Sequence, residues 1–228
     1  MTAFRHEDKY LIDAAQERIL RMRAEAYFFR DPHAGEDGCY DISSLYFDDP
    51  DNSCFHDNED GIGNRDKYRI RVYNEDDGLI RLEKKEKRKN LTRKVSSVIS
   101  REQALSLMQG ELTESEPGQD DTASLLFEEM WTKLMRPKVI VSYKRASFIY
   151  PAGNVRLTFD QMVESSGEVQ AFLKGGYRSR PVLPDGMCIM ELKWDELLPR
   201  HLIEGLQPES MHLTKFSKYY ACRKWSII

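Results

Sequence analysis

The sequence predicts an α+β fold: an antiparallel β-barrel that forms a tunnel, with helices packed around its outside. Three observations predict it. Many segments alternate apolar and polar residues with period two, the mark of strands with two distinct faces. Arg or Lys stands between apolar neighbours in separate strands, as Lys9, Arg69 and Arg71, Arg81 and Lys85, Arg145, Arg156, and Lys193. Stretches with capping signals and apolar stripes read as helices that need a surface to cover.

In chain order, Phe4–Ile12 begins extended, with Arg5, Glu7 and Lys9 on one face. Asp13 caps a helix over Ala14–Tyr27, whose apolar side is expected from Ile19, Leu20 and Met22. Arg30–Asp37 is a loop and Tyr40–Phe47 a strand. Asp48–Asn64 is an acidic connection with Pro50, Gly61 and Gly63; it fits a solvated loop with a short helix and does not match an EF-hand.

Lys67–Lys94 is the organising stretch. Tyr68, Ile70 and Val72 alternate with Lys67, Arg69 and Arg71; Ile80 and Leu82 alternate with Arg81, Glu83 and Lys85. Asn74–Gly78 is turn chemistry, which makes the two runs a hairpin. Val95–Ile99 continues as strand. Ser100 and Gln103 form a capping box for a helix ending at Gly110. Leu112–Asp120 is a linker, and Asp121 caps a helix over Thr122–Met135. Leu125, Leu126, Met130, Trp131 and Leu134 are its expected apolar side.

Lys138–Tyr150 is a long strand. A Pro–Ala–Gly–Asn turn leads to Val155–Met162, where Val155, Leu157 and Phe159 oppose Arg156, Thr158 and Asp160. Gln170–Leu183 is mixed, with a turn at Gly175–Gly176. Met187–Trp194 is a strand with Ile189, Glu191 and Lys193 on one side. Glu196–His201 is loop or short helix. Thr214 is the expected cap of a closing helix containing Lys215, Ser217, Lys218 and Tyr219. No repeat or composition break divides the chain, so residues 1–228 read as one domain.

Composition fits a water-soluble chain: 32% charged, 40% hydrophobic, net charge −4. No apolar run has the length of a membrane span and no signal peptide opens the chain. The four cysteines are scattered and form no CxxC pair, which points to a reducing cytoplasm. The histidines make no HExxH cluster, and neither a Walker A sequence nor a GxSxG elbow is present. A weakly acidic chain with one basic tract, Arg81–Lys94, suggests a local anion site and not a nucleic-acid partner.

Seen alone, the charged hairpin face would be solvated, and its ion pairs would be worth little. Recurrence across strands points the other way. If helices cover the apolar face, the charged face lines a bore. A bore of cations is costly to desolvate unless a polyanion completes it. Phosphate chains fit: guanidinium binds phosphate bidentately and lysine acts as a point charge. Glu7, Glu83 and Glu191 would gain a role by holding a divalent cation. Lys84, Lys87, Arg88 and Lys89 read as solvated edge charges that steer anions inward.

RHEDKYLI, YDISSLYFDD, KYRIRVY, LEKKEK, LTRK, VSYKRASF, VRLTFD, MELKW and TKFSKYY, in this order, resemble the polyphosphate polymerase (VTC) domain of the CYTH-like triphosphate tunnel metalloenzymes. The resemblance runs from Phe4 to Tyr220. Arg5–Lys9 departs from the Glu-x-Glu-x-Lys opening of the CYTH enzymes and suits the polymerase branch. The resemblance implies the triphosphate tunnel fold and a Mn2+- or Mg2+-dependent transfer of the ATP terminal phosphate to polyphosphate. It implies phosphate binding by Lys9, Arg69, Arg71, Lys85, Lys94, Arg145, Arg156, Lys193, Ser217 and Lys218. Glu191 would be the principal metal ligand, with Glu83 and Glu7 beside it, and Tyr143 would shape the wall. Lys9, Arg69, Arg71, Lys218 and Glu191 would carry the chemistry.

Two further readings stay open: hydrolysis of inorganic or nucleoside triphosphate, and a non-catalytic sensor of polyphosphate or inositol phosphates. The eukaryotic relatives carry an SPX domain and membrane-associated partners. The chain reads as a stand-alone form without SPX, for which a membrane-protein partner in product export is an implied but unseen element.

Overall fold

Pleating sorts the strand residues into two sets. In the computed structural model, which describes residues 3–111, 121–207 and 211–227, the apolar set faces outward beneath helices and the charged set faces inward. Tyr68, Ile70, Ile80 and Leu82 are all at most 2% exposed. Each such side chain contributes about 1.5–3 kcal/mol by leaving water.

The order is β1 (Arg5–Ile12), α1 (Ala14–Tyr27), β2 (Phe29–Arg30), β3 (Cys39–Asp48), α2 (Ser53–Glu59), β4 (Asn64–Tyr73), β5 (Asp76–Arg88), β6 (Leu91–Ile99), α3 (Arg101–Gln109), α4 (Asp121–Thr132), β7 (Arg136–Tyr150), β8 (Val155–Ser166), β9 (Arg180–Pro181), β10 (Cys188–Trp194), α5 (Arg200–Leu206) and α6 (Lys218–Ile227). The sheet runs β7-β3-β4-β5-β6-β1-β10-β8, and β8 pairs back with β7. That pairing closes a ring of antiparallel strands, with β2 and β9 as short flanking pieces. Closure between β6 and β1 rests on Arg5 with Thr92 and His6 with Leu91. The first residues of the two strands meet there.

Two apolar clusters lie between the ring and its helices. One packs β3, β4, β5 and β7 against α2, α3, α4 and α6; the other packs β7, β8 and β10 against α1 and α5. Among the described residues, no helix is long and apolar enough to cross a membrane.

Most expected elements stand where the sequence places them, including α1 behind its Asp13 capping box and α3 behind Ser100 and Gln103. Several details differ. The hairpin turn is shorter than Asn74–Gly78: Tyr73 pairs with Asp76, and Asn74 and Glu75 both take positive φ. Helix α1 buries Glu17, Leu20 and Ala24, while Ile19 and Met22 are exposed. The reason is that Leu20 and Ala24, four apart, make the stripe that meets the sheet and α5. Helix α4 likewise buries Ala123, Leu126, Phe127 and Met130 and exposes Leu125 and Trp131; it ends at Thr132, short of the expected Met135, and the exposed Leu134 lies beyond it with positive φ. Linker 112–120 and the side chain of residue 121 lie outside the described residues. Thr214 does not cap a helix; its N–H donates to the Lys9 carbonyl in an extended run along β1. Ser217 caps α6 instead, accepting from Tyr220 N at 3.3 Å.

Candidate active site

A channel of about 1020 Å³ occupies the barrel interior. Its wall is built from alternate residues of every strand in the ring. Strand β4 contributes Arg65, Lys67, Arg69 and Arg71; β5 contributes Arg81, Lys85 and Lys87; β6 contributes Lys94. Glu7 and Lys9 come from β1, Glu191 and Lys193 from β10, Arg156 from β8, and Tyr143 and Arg145 from β7. Ser217 and Lys218 enter from the start of α6. The extended run after Leu213 swings them over the bore, where Lys9 Nζ donates to the Phe216 carbonyl at 3.4 Å.

Glu191 is the centre of this charge. Lys218 Nζ donates to its Oε1 at 2.7 Å and Lys193 Nζ to its Oε2 at 2.8 Å. Lys9 lies 3.6 Å and Arg145 3.9 Å away. Burial opposes ionisation, but Lys193, Lys218, Lys9 and Arg145 overcome it and hold the carboxyl well below its ordinary range. Glu7 repeats the pattern. Lys85 donates to both its oxygens at 2.9 and 3.0 Å, and Lys193 and Lys9 stand at 3.3 and 3.6 Å. Lys193 and Lys9 thus lie against both carboxylates.

Two buried carboxylates aim the arginines. Glu83 is fully buried behind the channel wall and takes Arg69 Nε at 2.7 Å and Lys94 Nζ at 2.9 Å, with Arg71 3.8 Å away. Asp160 accepts two bonds from Arg145, at 2.6 and 2.7 Å, and has Lys218 at 2.5 Å. Bidentate pairing fixes the guanidinium plane. Arg71 is held by Ser44 Oγ and by the Tyr143 hydroxyl, both at 3.1 Å. Arg145 and Lys218 lie 5.2 and 5.0 Å from the Tyr143 ring centre. Arg156 is tied to Asp31 and, at 3.1 Å, to Ser147 Oγ.

Of the residues given phosphate or metal roles from sequence, all but Glu83 line the channel. Lys84 is not an edge charge. It lies on the outer face under α4, with both Glu129 oxygens at 2.7 and 2.8 Å. Lys87 lines the channel instead of standing at a solvated edge. Sequence reasoning gave no role to Asp160, although it shares the inward face of β8 with Arg156, and none to Lys67, although it alternates with Arg69. Asp31 carries no signal at all, because its partner Arg156 is distant in sequence.

A matching family profile decides the relationship: that of the VTC domain covers residues 4–226. The chain belongs to the VTC domain family. Among solved structures, this VTC domain is similar to a candidate adenylate cyclase from Bacillus halodurans, at TM-score 0.52 and 15% identity, covering 95% of each chain. It is also similar to a candidate adenylyl cyclase from Hippeastrum described as having a dominant triphosphatase activity, at TM-score 0.53 and 11% identity, covering 99% of this chain and 96% of that one. A third likeness is to a candidate adenylate cyclase from Vibrio parahaemolyticus, at TM-score 0.51 and 11% identity, covering 97% and 98%. No curated protein matches the chain. At these identities the likenesses show the fold, a tunnel of antiparallel strands with helices outside.

Among the described residues, no group of three His, Cys, Asp or Glu side chains is placed to hold a metal ion. A hard divalent cation in a phosphate site needs less: one or two carboxylates, with phosphate oxygens and water completing its shell. Glu7 and Glu191 fit that requirement, because Lys9 and Lys193 lie against both and so mark a position bracketed by two carboxylates. Glu83 does not, since it is fully buried and absent from the channel lining.

Proposed function

We propose that the VTC domain binds ATP and polyphosphate in this channel and transfers the terminal phosphoryl group of ATP to a polyphosphate chain. The observation that carries the reading is the convergence of Lys9, Arg69, Arg71, Lys85, Lys94, Arg145, Arg156, Lys193 and Lys218 on one enclosed cavity around Glu191. Phosphoryl transfer passes through a loose transition state, so alignment and charge neutralisation supply most of the catalysis.

Arg69, Arg71, Arg145 and Arg156 hold the triphosphate in line, their guanidinium groups pre-aimed by Glu83, Ser44, Asp160 and Asp31. Lys9 and Lys218 steady the attacking phosphate, with Ser217 beside them. That nucleophile is already anionic and needs no strong base. Lys85 and Lys193, together with Lys94, neutralise charge along the chain. Burial brings the Lys85 ammonium down to about 7, Glu7 opposing the shift; an arriving phosphate reverses it. Glu191 and Glu7 would hold Mn2+ or Mg2+, which when bound would supply Lewis-acid neutralisation of developing charge. The four cysteines are free, which suits a reducing cytoplasm.

A second reading, hydrolysis of inorganic or nucleoside triphosphate, is favoured by the Hippeastrum relative's described activity. The two reactions differ only in which nucleophile reaches the phosphorus. Incubation with ATP and Mn2+, followed by gel and phosphate analysis, separates them. Polymer supports transfer, free phosphate without polymer supports hydrolysis, and binding without either product leaves a sensor.

A further inference from the structure

Asp48 is fully buried at the end of β3, within the motif YDISSLYFDD, and does not line the channel. Glu83 and Asp160 each meet an arginine. Asp48 does not: among the described residues, no Lys, Arg or His stands at ion-pair distance from it. Four neutral donors hold it instead. Its Oδ1 accepts from Asp49 N at 3.0 Å and Cys54 N at 2.9 Å, and its Oδ2 from Phe55 N at 3.1 Å and the Tyr219 hydroxyl at 2.5 Å. A side chain that meets four donors must offer acceptors alone, which a carboxylate does and an amide does not.

The donors come from two helices. Cys54 and Phe55 are the second and third residues of α2. Asn52, in the N-cap position, takes a left-handed φ of 56° and makes no side-chain cap bond, so Asp48 supplies the cap from the neighbouring strand. Tyr219 belongs to α6 and follows Lys218 directly. Its ring lines the channel and its hydroxyl ends on Asp48. Burial, then the Asp48 carboxylate, raise the Tyr219 pKa far above the ordinary tyrosine range, so the tyrosine is the donor of this bond. Two more contacts seat α6 on α2. The Tyr220 ring stacks on Phe55 with centroids 5.0 Å apart, and Arg223 donates to Asn52 Oδ1 at 3.0 Å.

Successive side chains of a helix point about 100° apart, so fixing the end of residue 219 fixes the direction of residue 218. Lys218 Nζ is aimed between Glu191 Oε1, at 2.7 Å, and Asp160 Oδ2, at 2.5 Å. Side-chain ends lie about 5–6 Å from a helix axis, so a rotation of about 20° carries them about 2 Å. A misplacement of about 1 Å is already enough to spoil an aligned contact.

We propose that Asp48 is a positioning residue for Lys218: by capping α2 and accepting the Tyr219 hydroxyl, its carboxylate sets the rotation of α6 that aims Lys218 into the channel. The proposal rests on the reading of Lys218 as a phosphate contact. Asp48 itself touches no ligand.

The test is a double-mutant cycle read by calorimetric titration with metal-free tripolyphosphate, on wild type, Tyr219→Phe, Lys218→Met and the double variant. Tyr219→Phe removes the hydroxyl and keeps the ring. Lys218→Met is expected to weaken binding about tenfold, the loss of one charge-assisted contact. Tyr219→Phe is expected to weaken it about fivefold in the wild-type background and by less than about twofold in the Lys218→Met background, where no ammonium is left to aim. Asp48→Asn sets an amide N–H2 against donors and should match Tyr219→Phe in both backgrounds. Melting curves establish which variants fold; where Asp48→Asn does not, Tyr219→Phe decides alone. A merely structural role lowers the melting temperature but weakens binding equally in both backgrounds, and that result would overturn the proposal. Unchanged binding by Tyr219→Phe would overturn it as well. Wild-type affinity in Lys218→Met would instead overturn the underlying reading of Lys218.

Discussion

Replacing Glu191 with Gln tests the electrostatic design of the channel. The substitution keeps the shape and one acceptor but removes the charge that Lys218 and Lys193 meet at 2.7 and 2.8 Å, with Lys9 and Arg145 behind them. Breaking a buried pair from one side costs about 3–5 kcal/mol because the partner charges stay buried. Here the lower figure applies. Lys9 and Lys193 retain Glu7, Lys218 and Arg145 retain Asp160, and the Gln carbonyl still accepts a hydrogen bond. A loss of about 3 kcal/mol corresponds to a melting temperature lower by about 6–12 °C in a chain of this size. Tripolyphosphate should restore much of that loss without metal, since the anion replaces the missing charge and no longer competes with the carboxylate. Turnover of ATP with Mn2+ should vanish while metal-free tripolyphosphate binding stays as tight or tightens. Differential scanning calorimetry with and without tripolyphosphate, with a product assay, reads all three. An unchanged melting temperature together with full turnover would refute the reasoning.

Three further outcomes are expected. Asp160→Ala removes one of the two carboxylates that Arg145 and Lys218 share, with Glu191 remaining, so urea unfolding should show a loss of about 3 kcal/mol, and a loss below about 1 kcal/mol would count against that assignment. Leu82→Ala removes a fully buried side chain from the outer face; it should cost about 2–5 kcal/mol yet leave tripolyphosphate affinity within about twofold, because the channel wall is untouched. Glu129 is opposed by burial, but bonds from Lys84, Tyr68 and Lys133 lower its pKa from 4.5 to about 2. Its folded pKa lies below the unfolded one, so its stabilisation is present above 4.5 and is lost as pH falls to about 2. Urea midpoints over that window should therefore fall less steeply for Glu129→Gln than for wild type; parallel curves would exclude the effect.

The barrel was legible because period two is a local property. Tyr68, Ile70 and Val72 against Arg69 and Arg71 already separate wall from bore, and repetition in other strands shows that the charged face is shared. Helix faces were less legible. In α1 the apolar residues Ile19, Leu20 and Met22 spread around the cylinder, and only contact with α5 and the sheet selects Leu20 and Ala24. The counter-charges were mostly hidden, since they depend on closure: Asp31 meets Arg156 from a distant loop, and Asp160 meets Lys218 across the bore. That Lys67 meets only neutral partners, Asn58 and Ser217, was invisible for the same reason. Which cations meet a carboxylate can be read only after every strand has been placed. Ser217 could be proposed from its motif, but its position depends on the extended run that Thr214 anchors to Lys9.

Everything turns on whether the channel holds the phosphate chain. The most direct measurement is a crystal structure of the domain soaked with tripolyphosphate and Mn2+, with the metal located by anomalous scattering. The expected result is phosphate oxygens within hydrogen-bonding distance of Arg69, Arg71 and Arg145, and an anomalous peak beside Glu191. Phosphate found only on the outer helices, with neither phosphate nor metal in the bore, would contradict the account.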